Sequence, residues 1–437
     1  MTKTRIKNVT GRRVWDSRGR PTVEVEVALR YGAAGRAMAP AGASMGSGEA
    51  VENRDGGDRF GGRDVSGAVE AVNGEIAAAL KGMDAADQET LDRILIDLDG
   101  TENKSRLGGN ALIATSLATL QAAAAAEKLP LWQYLTNQND GGGPEFLPLP
   151  EIQIFGGGAH AGQRVDVQDF MVIAVGAGSY AEALAWTAEV YAAAGKIMAD
   201  SGRQLGVADE GGFWPAFDSN EEGLETTLRA IEAAGLTPGQ DVALSLDIAA
   251  SEFGADGRYR LATDGRELDS DGLSGLLVDW IERYPIVSIE DPLAEDDVEG
   301  LTRFTWAVGK RVQVVGDDYF VTNAERIRAA ASANTCNTVL IKPNQAGTVS
   351  EAKAALAAAR NAGFGSIVSA RSGETEDVAI VHLATGWGVP QLKVGSFARS
   401  ERMAKWNEGL RVAEAVAKLT GGPTDGNLAP RSSFPWG

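Results

Sequence analysis

The chain has 437 residues, 44% of them hydrophobic, which is enough for two domains and a large core. Its formal charge of −19 argues against nucleic acid or an anionic membrane as the main partner. No apolar run reaches membrane-spanning length and the opening MTKTRIKNVTGRR lacks a signal-peptide core, so a soluble cytoplasmic protein is expected.

Residues 20–31, RPTVEVEVALRY, alternate polar and apolar side chains, the mark of a half-exposed antiparallel strand. The pattern turns helical over 64–98 and again over 108–128, the second stretch being the Ala-rich GNALIATSLATLQAAAAAEK. Strands first and helices after predict a small α+β domain over 1–140. The polar, Gly-rich segment 136–146 (TNQNDGGGPEF) reads as the connector to a second domain over 141–437. That domain opens with two strands, 147–155 and 165–175, and a long helix at 180–202. Strands and helices then alternate over 241–395, with helical stretches at 269–283, 297–308, 324–333 and 348–362. A last helix covers 399–418, and the Gly/Pro-rich tail after it is expected to be irregular. The fold class is therefore α/β, with a parallel sheet closed as a (β/α)8 barrel. There is no Walker-type loop, and the Gly run 156–158 lacks the spacing of a dinucleotide fold.

Within 241–395 the hydrophobic strands end, one after another, in a residue able to do chemistry. ALSLD ends at Asp247, IVSIE at Glu290 and VQVVGD at Asp317; TVLIK ends at Lys342, GSIVSAR at Arg371 and VPQLK at Lys393. C-terminal strand ends of a barrel converge on one mouth, so these six side chains are expected to meet there. One carboxylate in such a place is as well explained as a helix cap or salt-bridge partner. Three at successive strand ends repel one another and call for a hard divalent cation, and few all-oxygen protein ligands suit Mg²⁺. A lysine at a strand end ordinarily snorkels to solvent. Facing a metal-bound carboxylate, a neutral lysine can remove an α-proton and a charged one can stabilise the enolate.

Other candidates are weaker alone. Glu210, in VADEGGFWP, reads either as part of a turn or as a general acid brought close by Gly-Gly. Asp169, in VQDFM, is expected to end the second barrel strand and to assist it. His160, in GGGAHAG, is expected to be exposed on its Gly-rich loop, and His382 is assigned no function. Ser44 lies in the mobile-looking loop PAGASMGSGEA. The single cysteine, Cys336, reads as packing at the start of a strand.

The stretches VWDSRGRPTVEVEV, LDGTENKSRLGGNA, GAHAG, ADEGG, LDIAASEF, YPIVSIEDPLAEDD, VVGDDYFVTN, LIKPNQAGT, RSGETED and ARSERMAKWN run over nearly the whole chain. In this order they resemble the enolase (phosphopyruvate hydratase) family. The resemblance implies an N-terminal capping domain and a barrel that opens ββαα. It implies that Asp247, Glu290 and Asp317 hold one Mg²⁺, and that Ser44 joins a second with the substrate. It further implies Lys342 as base at C2 of 2-phosphoglycerate, Lys393 at the carboxylate, Glu210 as acid for the C3 hydroxyl, and Arg371 and Ser372 at the phosphate, with His160 in the substrate-contacting set. A phosphorylated carboxylate as small-molecule partner and a homodimer or larger assembly follow from the same likeness. Several positions depart from the family's pattern. Ala370 replaces a histidine before the arginine, Asp169 a glutamate, and Gln153 and Gly156 two asparagines. The mobile loop carries Ala41 and Met45, and Phe213, Trp214 and Pro215 follow DEGG. A re-purposed relative of the carboxyphosphonoenolpyruvate synthase type, with room at Ala370 for a larger second substrate, is the rival reading. A non-catalytic binding protein is a third, and it makes no demand for three ligands and two lysines at strand ends.

Overall fold

The computed structural model describes residues 3–138 and 146–437. The expected domain boundary at 140/141, and 139–145 of the connector, lie outside the described residues. The N-terminal part is a three-stranded antiparallel sheet of β1 (Ile6–Trp15), β2 (Pro21–Leu29) and β3 (Ala34–Met38). β2 is the alternating stretch read from sequence, and its Val23, Val25 and Val27 are fully buried. They pack beneath the Ala-rich helix Gly109–Ala126, whose small side chains let helix and sheet approach closely. The helical run expected over 64–98 is broken. Ser66–Leu80 carries a π turn at Val72–Ile76, and the chain leaves the helix at Lys81 (ψ 121°) before restarting at Gln88. Gly82, at φ 82°, makes that exit turn, and Asp87 caps the restart by accepting from Thr90.

The second part is a closed eight-stranded barrel. Its strands are β4 (Leu149–Gly156), β5 (Asp169–Ile173), β6 (Ala243–Asp247) and, after a small meander of β7 (Gly254–Ala255), β8 (Arg258–Leu261) and β9 (Arg266–Asp269), β10 (Ile286–Glu290). β11 (Gln313–Gly316), β12 (Thr338–Ile341), β13 (Gly365–Ser369) and β14 (Gln391–Gly395) complete it. β5 runs antiparallel to both β4 and β6, while every other neighbouring pair is parallel. The barrel strands of 241–395 are parallel to one another as expected, and the antiparallel β5 belongs to the strand–strand opening. Two helices, Tyr180–Asp200 and Asn220–Ala233, follow β5, giving the ββαα opening. Six barrel helices start on Ser, Thr, Asp or Asn caps: Ser179, Ser219, Asp269, Asp297, Asn323 and Thr348 each accept from a backbone N–H of the first turn. Each cap is worth about 1 kcal/mol. Among the described residues no helix is long and apolar enough to cross a membrane.

The two parts are pinned together beside the mouth. Asp92 accepts from Ser116 Oγ (2.6 Å) on its own side, and from Ser350 N (2.9 Å) and Oγ (2.6 Å) on the barrel side. Ala41 and Gly373 exchange backbone hydrogen bonds of 2.8 Å, which draws the loop 41–50 over the strand ends. At the opposite end the irregular tail is packed rather than loose. Phe434 stacks on Trp436 (4.6 Å) and covers Leu149, Ile173 and Ala243 at the barrel base.

Candidate active site

Asp247 and Glu290 are the last residues of β6 and β10 and stand side by side in register. Asp317 directly follows β11 and Lys342 directly follows β12. Lys393 lies within β14, and its ammonium bridges Asp247 Oδ2 (2.9 Å) and Glu290 Oε2 (2.7 Å). Lys342 is paired with Asp317, whose other oxygen accepts from Gln345 Nε2 (2.8 Å). The three carboxylates are thus held as a pair and a single, each by its own lysine. Asp291 lies closest to Asp317 and Asp318, but both of its oxygens accept backbone N–H groups, from Asp317 and Asp318 at 2.9 Å each. It orients Asp317 and Asp318 through their backbone. Its strained φ of 40° is the cost of that position.

Arg371 lies two residues beyond β13 and forms a buried ion pair with Glu49 (2.9 and 3.1 Å), which the loop 41–50 brings in from the capping domain. Ser44 is half-buried and joins the site through its carbonyl oxygen, which accepts from Arg371 Nη2 (3.4 Å). A side chain at Gly42 would collide with that guanidinium, its Cβ falling 2.1 Å from Nη2.

The other side of the mouth is built by the antiparallel hairpin. Asp169 begins β5 rather than ending it, because the strand runs the other way and its first residue is the one at the mouth. His160, expected to be exposed, is buried. Its Nδ1 meets Asp169 Oδ1 at 2.9 Å and its Nε2 meets Ser372 Oγ at 2.8 Å, and these bonds pull the Gly-rich loop inward. Glu210 Oε1 lies 3.9 Å from the same Nε2. Of the predicted site residues, Asp247, Glu290 and Lys393 are joined directly, as are Lys342 with Asp317 and His160 with Asp169 and Ser372. Glu49, Asp291 and Gln345 were not singled out by sequence, and Gln153 only as a departure from the family's pattern. Only Gln345, three residues after Lys342 on the turn Pro343–Ala346, carried a spacing signal.

The family model described as the enolase C-terminal TIM barrel domain matches residues 144–422, and the enolase N-terminal domain model matches 6–135. "Enolase 1" of Desulfitobacterium hafniense (strain Y51) is 48% identical over 428 residues, covering 97% of each chain. The chain belongs to the enolase family. It is accordingly an enolase-type hydro-lyase, and enolases act on a small phosphorylated carboxylate with Mg²⁺. The donor set here fits that ion. The ligand candidates are all oxygen, and Glu290 Oε1 is buried with no hydrogen-bond partner among the described residues. Burial, and then the neighbouring charge of Asp247, push the Glu290 carboxyl well above its ordinary range, as expected of a cluster built to face more positive charge than its lysines supply.

The charges on the acid side follow a different balance. Burial works against a charged His160, but Asp169 and Glu210 outweigh it and raise the imidazole to about 9. The chain Ser372–His160–Asp169 has the geometry of a nucleophile triad, yet a charged imidazole donates to Ser372 and cannot accept its proton. It frees the Ser372 O–H to donate to an anion instead. The enolase departures also divide. Gln153, Gly156, Asp169 and Ala370 lie at or near the mouth. Met45 is exposed, and Phe213 is core, stacked on Tyr191 (4.4 Å).

Proposed function

We propose that this enolase dehydrates 2-phosphoglycerate to phosphoenolpyruvate through an enolate, with Lys342 as base and Glu210 on the acid side. The observation that carries the reading is Lys342 and Lys393 facing Asp317, Asp247 and Glu290 across one mouth, opposite His160, Asp169 and Glu210. Mg²⁺ would be held by Asp247, Glu290 and Asp317, with Ser44 joining a second ion beside the phosphate, and would supply positive charge to the enolate's oxygens. The chain's own groups do the rest. Burial lowers Lys342, but Asp317 outweighs it and keeps the amine charged. With the charges of Asp317 and Glu290 engaged elsewhere, burial, Arg371 and Lys393 would all favour the neutral amine that can take the C2 proton. Lys393, held charged well above its ordinary range against burial by Asp247 and Glu290, faces the substrate carboxylate. Arg371, Ser372 and charged His160 receive the phosphate.

Burial raises Glu210, but His160, Arg402 and Lys393 outweigh it and hold it below its ordinary range. The resting proton of the acid side is therefore on His160; it would pass from Nε2 to Glu210 Oε1, 3.9 Å away, and from Glu210 to the departing C3 hydroxyl, which leaves as water. The test is ultraviolet detection of phosphoenolpyruvate from 2-phosphoglycerate with Mg²⁺. Steady turnover, lost on chelation, is expected. No turnover would overturn the reading and turn attention to the larger second substrate that Ala370 would admit.

A further inference from the structure

We propose that Gln153 is a positioning residue that aims the acid side of the site, and that it is co-adapted with Asp169. This deepens the enolate reading and rests on it for the role of Asp169. Where enolases carry asparagine at 153 and glutamate at 169, this chain carries one methylene more at the first position and one fewer at the second. The two positions meet in space. Gln153, fully buried on β4, donates through Nε2 to Asp169 Oδ1, and its Oε1 accepts from Gly212 N (2.7 Å), two residues beyond Glu210. One amide thus ties the Asp169 carboxylate and the backbone just beyond Glu210 to the hairpin. The register of β4 and β5 shifts between Gln153 and Phe155, and such an irregularity re-aims a side chain along its strand.

The surroundings are shaped for the longer amide. A Cβ at Gly212 would fall 2.5 Å from Gln153 Oε1, and one at Gly156 would fall 3.1 Å from Nε2 and 2.6 Å from Ala208 Cβ. The side chain missing at 156 therefore leaves the volume that the glutamine fills. Asp169 Oδ1 receives both Gln153 and His160, so the carboxylate cannot rotate without breaking two hydrogen bonds. Its Oδ2 is buried with no hydrogen-bond partner among the described residues, and it is the open acceptor on this side of the mouth. The methylene lost from 169 is regained at 153.

A double-mutant cycle on the full-length protein tests this. Gln153→Asn and Asp169→Glu are each expected to lower kcat/KM for 2-phosphoglycerate by on the order of tenfold, and the double variant to recover most of that loss. A second readout does not depend on turnover. The protein has two histidines, so a His382→Gln background leaves His160 as the only imidazole to follow by NMR. Its protected Nδ1–H signal should shift in each single variant and return in the double. Losses that simply add in the double variant, or a His160 signal unmoved by Gln153→Asn, would overturn the proposal. A signal that shifts and returns as described, with no turnover in any of the proteins, would uphold the coupling and overturn the proposed reaction instead.

Discussion

The two sides of the barrel mouth solve the same electrostatic problem in opposite ways. On the parallel side, β6 and β10–β14 deliver carboxylates and lysines from strand ends, and each carboxylate has an ammonium against it. On the antiparallel side, His160 stands between Asp169 and Glu210, with Gln153 and Ser372 beside it. The first arrangement keeps charge ready to be traded for another cation. The second keeps a proton at neutral pH on a group that would ordinarily be half-titrated. A base and an acid can then coexist within one mouth because their neighbours differ, although both are buried.

The sharpest way to break this division is to remove its base. Lys342→Ala should lower turnover by about 10⁴-fold and stop exchange of the substrate C2 proton with deuterated solvent, whereas Glu210→Gln should lose dehydration and keep the exchange. Exchange at the wild-type rate in Lys342→Ala, read by NMR, would reassign the base. Next in size, Asp317→Ala should weaken Mg²⁺ binding by at least ~100-fold, since even groups behind the ligands matter by 10–100-fold. Calorimetry showing an unchanged affinity would remove Asp317 from the ligand set.

The acid side gives a pH test with a definite sign. His160 is raised from 6.5 to about 9. The stability it contributes is complete below about 6.5 and is lost as pH rises through about 9, on the order of 3 kcal/mol in all. Denaturant unfolding across that window should show the decline in the wild type and little of it in His160→Gln; parallel curves would contradict the assignment. The smallest effect is expected at Ala370, which is buried with its N–H on the Lys393 carbonyl (2.9 Å). Ala370→His should raise turnover of 2-phosphoglycerate, by well under the ~100-fold that a pre-positioned donor supplies. A fall in rate would mean the space beside Lys393 serves something other than a lost histidine.

The parallel side was legible in sequence because a buried strand ending in a charge is an uncommon pattern, and chain order gives barrel order. Asp247, Glu290, Asp317, Lys342 and Lys393 could be named from that alone. The antiparallel side was harder for a physical reason. Strand direction is invisible in a period-two pattern, so Asp169 was assigned to the wrong end of β5. His160 was misjudged because its side-chain hydrogen bonds, to Asp169 nine residues on and to the distant Ser372, decide its burial rather than its Gly-rich neighbours. Glu49 could not be found at all, since its partner Arg371 is more than three hundred residues away and only docking of the two domains joins them. The break at Lys81–Asp87 was hidden in the same way, by apolar spacing that continues across a turn.

At the far end of the barrel, Phe434 and Trp436 close the base over Leu149, Ile173 and Ala243, and Arg431 ties the tail to the Val175 carbonyl (2.8 Å). This seal touches none of the groups at the mouth. Engineering for heat resistance therefore has its own address: better packing under the barrel floor should raise the melting temperature while leaving the rate constants alone. Trimming the last residues should do the reverse, yielding a catalyst that works at full speed and simply wears out sooner.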